Sequence, residues 1–162
     1  MKNFLTVMLT LFLLTTTAAS ESKIEVDRAK LIQCALDAQK NSYAPYSEFN
    51  VGAAVLCSSG KIYTGANVEN VSYGAAICAE RTAISHAIAS GERKILAIAI
   101  VGGSKFTSNG YCTPCGICRQ FMREFAEPEK FLVIMAKTPT DYVEKTLEEL
   151  LPMSFGPESL DT

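Results

Sequence analysis

The sequence predicts an α/β fold in three layers (α/β/α), in which a five-stranded mixed sheet lies between helices. Two uninterrupted apolar runs, residues 95–101 and 131–136, are typical of strands that are buried on both faces. A stretch of helical length precedes each run. Because strands that alternate with helices are joined by right-handed crossovers, this order favours a mostly parallel sheet covered on both faces.

The first part of the folded chain predicts a helix and a hairpin. Apolar residues recur at helical spacing over residues 24–40, and residues 41–48 break this pattern. Residues 50–57 and 61–67 flank a turn signal at 58–60, which predicts two antiparallel strands. This hairpin makes the sheet mixed.

The remaining elements follow from spacing and from the residues that end them. A helix is predicted over residues 79–90, closed by Gly91, and another from Cys115 to about residue 126 after a loop at 102–113. An edge strand at 142–146 and a short helix at 147–151 complete the fold.

The amino-terminal residues 1–20 predict a signal peptide. Lys2 provides the positively charged n-region, and residues 4–14 form the apolar h-region. Residues 17–20 are the small residues of a cleavage site. The apolar segment is too short to span a bilayer, and the abrupt polar change at residues 21–23 disfavours a buried core helix. We therefore expect cleavage near Ala19 or Ser20, export of the protein, and a single catalytic domain over residues 21–162.

Composition favours a small-molecule partner. The 162 residues suffice for one domain with a core, and 48% of them are hydrophobic. The net charge of −2 argues against a nucleic-acid partner, because proteins that bind polyanions usually carry a basic patch.

Three cysteines have the spacing of a hydrolytic metal site. Catalytic zinc usually takes three protein ligands and leaves the fourth position for water. Cys115 and Cys118 are three residues apart, so both thiols lie on one face of a helix that Pro114 can begin. Cys78 precedes the other predicted helix, and helix N-termini favour thiolates.

Glu80 lies two residues from the first of these cysteines, in the position of a general base. Three thiolates donate much charge to a metal, which leaves more of the proton transfer to a nearby carboxylate. Arg81 can offset part of the negative charge on the sulfurs. A lone CxxC is often redox-active or structural, but Cys78, Glu80 and Pro114 together favour catalytic Zn²⁺.

The other three cysteines leave a second interpretation open. Six cysteines in a small secreted chain also fit a disulfide framework, and hence a non-catalytic, disulfide-stabilised binding protein. If zinc takes three of them, Cys34 and Cys57 are expected to be buried free thiols. Cys112 has no evident role.

Five motifs follow one another along the chain: YAPYSEF at 43–49 with VGAA at 51–54, NVENVSY at 67–73, ICAERTA at 77–83, PCGICRQ at 114–120 and LLPMSFGP at 150–157. A Cys or His, a Glu two residues on, and a later P-C-x-x-C are the signature of zinc deaminases. In this order the motifs resemble those of the small, homotetrameric cytidine deaminases, and the resemblance covers residues 25–160. Cys112 and the signal peptide depart from the family pattern.

The resemblance implies a role for each matching residue. Cys78, Cys115 and Cys118 would bind zinc, and Glu80 would move protons. Phe49 would pack against the pyrimidine ring, and the backbone of Ala79 would hydrogen-bond the base. Asn67 and Glu69 would hydrogen-bond the ribose hydroxyls, with Asn70 beside them as a further substrate-binding residue. Tyr73 and Phe155 would reach the site of a neighbouring subunit in a homotetramer.

Without the resemblance, several of these residues have plainer interpretations. Asn67 and Glu69 would be a polar turn, and Phe49 and Phe155 would be core or surface aromatics. His86, the only histidine, is expected to pack on its helix and not to bind metal.

The implied activity is the hydrolytic deamination of cytidine and 2′-deoxycytidine to uridine and 2′-deoxyuridine, as in pyrimidine salvage. One alternative is deamination of another aminopyrimidine nucleoside. Editing of nucleic acid is disfavoured by the charge balance, and the non-catalytic binding protein comes from a different class.

Overall fold

The computed structural model describes residues 24–107 and 110–160. Five strands form one sheet, and four α-helices and two short 3-10 helices, Tyr73–Ala75 and Pro157–Leu160, are present in this part of the chain. In chain order the main elements are α1 (Arg28–Gln39), β1 (Phe49–Cys57), β2 (Ile62–Ala66), α2 (Ala79–Ala89), β3 (Ile95–Ser104), α3 (Gly116–Arg123), β4 (Leu132–Thr138), β5 (Asp141–Thr146) and α4 (Leu147–Leu150).

The predicted three-layer arrangement with a five-stranded mixed sheet is confirmed. The strand order is β2-β1-β3-β4-β5, which places β5 at an edge as predicted. On one face α1 packs through Leu31, Ile32 and Ala35. On the other face α2 and α3 pack through residues that include Ala83 and Met122. The sheet therefore has an apolar core on each side.

The prediction of a mostly parallel sheet is wrong. Among the four strand pairings of the described residues, only β3–β4 is parallel, and the other three are antiparallel. The crossover through α2 does join two strands that run in the same direction, β2 and β3. However, β1 lies between them and pairs antiparallel with both, because the hairpin turns β2 to its outer side.

Two glycines let the helices approach the sheet closely. A Cβ atom at Gly52 would overlap the backbone of Ala35 and Gln39 on α1. A Cβ at Gly65 would lie 2.8 Å from the Ala79 carbonyl oxygen on α2. Since Ala79 is the first residue of α2, the contact at Gly65 fixes the end of the helix that carries Cys78.

Several element boundaries differ from the predicted ones. Helix α1 begins at Arg28 and not at residue 24, because the Asp27 carboxylate caps it by accepting a hydrogen bond from the Lys30 N–H at 3.0 Å. Helix α3 ends at Arg123 and not near residue 126. Strand β3 continues past residue 101, because Gly102 and Gly103 still pair with β1.

Residues 1–20, for which the sequence predicts a signal peptide, lie outside the described residues. Within residues 24–107 and 110–160, every helix is too short or too polar to cross a membrane.

Candidate functional site

Three thiols meet where α2 and α3 begin. Cys78 is the N-cap of α2, Cys115 is the N-cap of α3, and Cys118 lies in the first turn of α3. The three Sγ atoms lie within 4.8 Å of one another, and those of Cys115 and Cys118 are 3.4 Å apart. Thiolates around a tetrahedral zinc at ~2.3 Å are about 3.8 Å apart, so this cluster has the size of a zinc site.

The local sequence explains why the thiols face one another. Neither N-cap side chain accepts a hydrogen bond from the first backbone N–H groups of its helix, so both sulfurs are available to the thiol cluster. The N-terminal N–H groups of both helices add positive partial charge near the sulfurs. The pair of helix starts therefore favours the thiolate forms that zinc requires.

Charge compensation supports the same assignment. Hydrogen bonding from Cys118, together with the nearby Arg81 guanidinium, lowers the pKa of Cys78 to about 5. The Nε atom of Arg81 is buried without a hydrogen-bond partner among the described residues, while one Nη atom donates to the Ala76 carbonyl at 3.2 Å. Three thiolates and one Zn²⁺ carry a net charge of −1, which this guanidinium can balance.

Glu80 lies in the first turn of α2, next to this cluster. The residue is only 4% exposed, and burial raises the pKa of its carboxyl above the ordinary value. The Cys78 thiolate raises the pKa of the Glu80 carboxyl further. A carboxyl that is held in an apolar setting beside a metal site can both accept and return a proton.

Cys112 and the Phe49 ring both lie against Gly102, near the carboxyl end of β3. A Cβ atom at Gly102 would lie 2.7 Å from the Cys112 Sγ and 3.3 Å from the Phe49 ring. Burial and the nearby Glu80 raise the pKa of Cys112 to about 12. Cys112 is therefore a neutral thiol within the pocket, a placement that its position before the CxxC did not reveal.

Asn67 holds the start of β1. Its side-chain oxygen accepts hydrogen bonds from the Ser42 hydroxyl at 2.6 Å and the Val51 N–H at 2.8 Å. Its amide nitrogen donates to the Phe49 carbonyl at 2.9 Å. The structure thus joins two predicted substrate contacts, Asn67 and Phe49, in one hydrogen-bonded unit.

Glu69 is fixed in a similar way by the preceding loop. Its carboxylate accepts hydrogen bonds from the Tyr46 N–H at 2.8 Å, the Ser47 N–H at 3.2 Å and the Ser47 hydroxyl. These hydrogen bonds, that of the Ser47 hydroxyl foremost, lower the pKa of the Glu69 carboxyl. The Ser47 hydroxyl also accepts from the Phe49 N–H at 3.0 Å, a connection that sequence reasoning missed because a lone serine carries no signal.

The other predicted substrate-binding residues differ in how far they are buried. Ala79 is fully buried at the first position of α2. The Asn70 side chain accepts a hydrogen bond from the Ser72 N–H at 2.9 Å and so shapes its own loop. Tyr73 is 78% exposed and packs edge-on against Tyr46, with 6.0 Å between ring centroids, and Phe155 is 61% exposed.

The six cysteines all lie within the described residues, and all of them are free thiols. Cys57 is fully buried, as predicted, and burial together with Glu92 raises the pKa of its thiol to about 11. Cys34 is only partly buried. No disulfide joins any two of the described residues.

Comparison with known proteins agrees with this geometry. The sequence model of the family described as "Cytidine and deoxycytidylate deaminase zinc-binding region" matches residues 25–135. The chain belongs to this family. The zinc deaminase family therefore accounts for the cluster of Cys78, Cys115 and Cys118, and zinc is its metal.

Individual members of the family are similar over most of the chain. A cytidine deaminase of Halalkalibacterium halodurans is 43% identical over 136 residues, which are 84% of this chain and 99% of that protein. A probable cytidine deaminase of Dictyostelium discoideum is 42% identical over 131 residues, 81% of this chain and 85% of that protein. The crystal structure of a cytidine deaminase from Burkholderia pseudomallei has a TM-score of 0.71 at 43% identity, covering 78% of this chain and 97% of that one.

Proposed function

We propose that this protein is a zinc-dependent hydrolase that deaminates cytidine and 2′-deoxycytidine to uridine and 2′-deoxyuridine, with a role in pyrimidine salvage. The observation that carries the proposal is the three-thiol cluster beside the buried Glu80, in a chain whose relatives are cytidine deaminases. The names of these relatives do not favour the alternative within the same fold, deamination of a different aminopyrimidine nucleoside.

The reaction adds water to carbon 4 of the pyrimidine and releases ammonia. When bound, zinc supplies a water of lowered pKa that can attack this carbon. The Glu80 carboxylate takes a proton from the water and gives it to ring nitrogen 3. Glu80 then takes the remaining proton from the hydroxyl on carbon 4 and gives it to the amino group, which departs as ammonia as the carbon–oxygen double bond forms.

The remaining site residues hold the nucleoside. The Phe49 ring lies against Gly102, as Cys112 does, and can pack against the base. Glu69 and Asn67 lie on the loop that follows β2, where a carboxylate and an amide suit the hydroxyls of a ribose. Because Asn67 already holds the Phe49 carbonyl, binding of the sugar and of the base are coupled.

The direct test is conversion of cytidine by the purified zinc-loaded protein, followed by ultraviolet absorbance and by release of ammonia. Equimolar uridine and ammonia support the proposal. A zinc-loaded protein that converts another aminopyrimidine nucleoside but not cytidine would establish the alternative. A protein that takes up no added zinc and converts neither nucleoside would instead be a binding module.

We propose that the active assembly is a homotetramer with shared pockets. Large apolar side chains on segments that carry predicted site residues are left exposed in the single chain, among them Val71, Tyr73, Ile117, Met153 and Phe155. Exposed apolar surface of this kind supports a protein–protein interface. Light scattering should give four chains per particle, and a fully active monomer would contradict the shared pockets.

Truncation after Leu151 tests this arrangement. The shortened chain lacks Phe155 but keeps Cys78, Cys115 and Cys118, so we expect bound zinc and a lower kcat/KM for cytidine. Zinc content and kinetics are measured on the same preparation. Full activity in the truncated protein would refute a role of the C-terminal segment in the pocket.

We also propose that the protein is exported. The amino-terminal sequence supports export, because a lysine, an apolar segment and the small residues of a cleavage site follow one another there. In an oxidising compartment, zinc should keep Cys78, Cys115 and Cys118 as thiolates, while Cys112 is either free or bonded to a partner outside the site.

Mass spectrometry of protein secreted from eukaryotic cells tests both parts of this proposal. We expect an amino terminus near residue 20 or 21 and no disulfide that involves the three zinc ligands. Cytosolic protein that begins at Met1 would contradict export. A disulfide from Cys112 to Cys115 or Cys118 in active, zinc-loaded protein would contradict the ligand set.

A further inference from the structure

Polar side chains of helix α3, which also carries the zinc ligand Cys118, form hydrogen bonds to the C-terminal segment. Arg119 donates to the Pro114 carbonyl at 2.9 Å and to the Leu150 carbonyl at 2.7 Å. One residue further on, the Gln120 amide donates to the Phe155 carbonyl at 2.9 Å. These contacts join the middle of α3 to a segment about 30 residues away in sequence.

Arg123 completes the attachment in the last turn of α3. Its Nε donates to the Ser154 hydroxyl at 2.9 Å, and its guanidinium forms an ion pair with Glu158. The segment lies so close that a Cβ atom at Gly156 would overlap the guanidinium. Arg123 is only 9% exposed, so this is a nearly buried charge with its partners in place.

The arrangement determines where Phe155 is presented. Ser154 and Gly156 both contact Arg123, so the side chain between them, that of Phe155, is turned outward and stays largely exposed. The backbone at Met153 has a φ of +54°, a left-handed conformation that is costly for a residue with a side chain. Such a conformation persists where neighbouring contacts hold it, here those of Gln120 and Arg123.

We propose that Gln120 and Arg123 are positioning residues that fix Phe155 relative to the zinc-binding turn of α3. The proposal rests on the proposed function, in which Phe155 contributes to a pocket. Gln120 is two residues from Cys118 on the same helix and acts through the Phe155 carbonyl, not through substrate. Its loss should therefore weaken nucleoside binding without disturbing the metal or the proton transfer.

Kinetics with a double-mutant cycle test this role. In the zinc-loaded protein, Gln120→Ala should raise KM for cytidine by ~5-fold, the effect of losing one ordinary hydrogen bond, with kcat and zinc content unchanged. In the Phe155→Ala background the same change should have no further effect, because the residue that it positions is gone. Arg123→Lys, which keeps the charge but not the forked contacts, should behave in the same way.

A fluorescence measurement tests the positioning independently of activity. The chain contains no tryptophan, so Phe155→Trp introduces a single tryptophan, whose fluorescence can be excited selectively over that of the six tyrosines. Gln120→Ala or Arg123→Lys should lower the fluorescence anisotropy of that tryptophan. Gln33→Ala and Arg28→Ala, which remove similar polar contacts on α1, should leave both the anisotropy and KM unchanged.

The outcomes separate the two proposals. An anisotropy that is unchanged by Gln120→Ala, or a KM effect that persists in full in the Phe155→Ala background, would overturn the positioning role. A zinc-loaded wild-type protein that does not convert cytidine would overturn the proposed function, while the anisotropy measurement would still decide whether Gln120 and Arg123 position residue 155.

Discussion

Replacing Glu80 by Gln is expected to lower kcat for cytidine by ~10²–10⁴-fold while zinc and fold are retained, the range that loss of a general acid–base typically causes. Gln has the same shape as Glu but cannot carry a proton between the water, the ring nitrogen and the amine. Glu80 is not among the three clustered ligands, so the variant should bind zinc as the wild-type protein does. Turnover and metal content are measured together.

Glu92→Gln provides a matched control for this substitution. Glu92 is also nearly buried, but its carboxylate accepts a hydrogen bond from the Ser59 hydroxyl at 2.8 Å, away from the thiol cluster. We expect turnover close to that of the wild type in this variant. Near-normal turnover in Glu80→Gln with intact zinc would remove Glu80 from the mechanism.

Cys115→Ser is expected to lose the metal and much of the stability that the metal confers. The cluster joins the starts of α2 and α3, so zinc binding is coupled to folding. A ligand present at about 100 times its Kd contributes about 2.7 kcal/mol, and losing this corresponds to a fall in Tm of about 5–10 °C in a chain of this length. Metal analysis and thermal unfolding measure the two effects.

Cys34→Ser separates loss of a ligand from loss of a thiol. Cys34 is partly buried on α1 and lies outside the cluster, so its replacement should leave zinc stoichiometric. Stoichiometric zinc in Cys115→Ser would instead exclude Cys115 from the ligand set.

The layers of the fold were predictable because each helix and strand is indicated by a short local pattern in the sequence. The apolar runs at 95–101 and 131–136 gave buried strands, and the turn at 58–60 gave the hairpin. The order of strands across the sheet is a long-range property. Nothing in the sequence showed that β1 would lie between β2 and β3, and hence that only one pairing would be parallel.

The metal ligands were predictable for a similar reason, because Cys115 and Cys118 are on one helical turn and Cys78 precedes a helix. The hydrogen bonds that hold the residues around the metal ligands were not predictable. The bond from Ser47 to Glu69 and the attachment of Phe155 by Gln120 join residues more than 20 positions apart, and neither serine nor glutamine has a distinctive pattern. Such contacts follow only from the tertiary arrangement.

The central claim is that zinc on the three thiols makes this protein a hydrolytic cytidine deaminase. The most direct measurement is to remove the metal with a chelator, add zinc back in steps, and record cytidine turnover and bound zinc at each step. We predict that turnover is lost on removal and rises in proportion to bound zinc, up to one ion per chain. Turnover that survives removal of the metal, or full zinc loading without any conversion of cytidine, would contradict the claim.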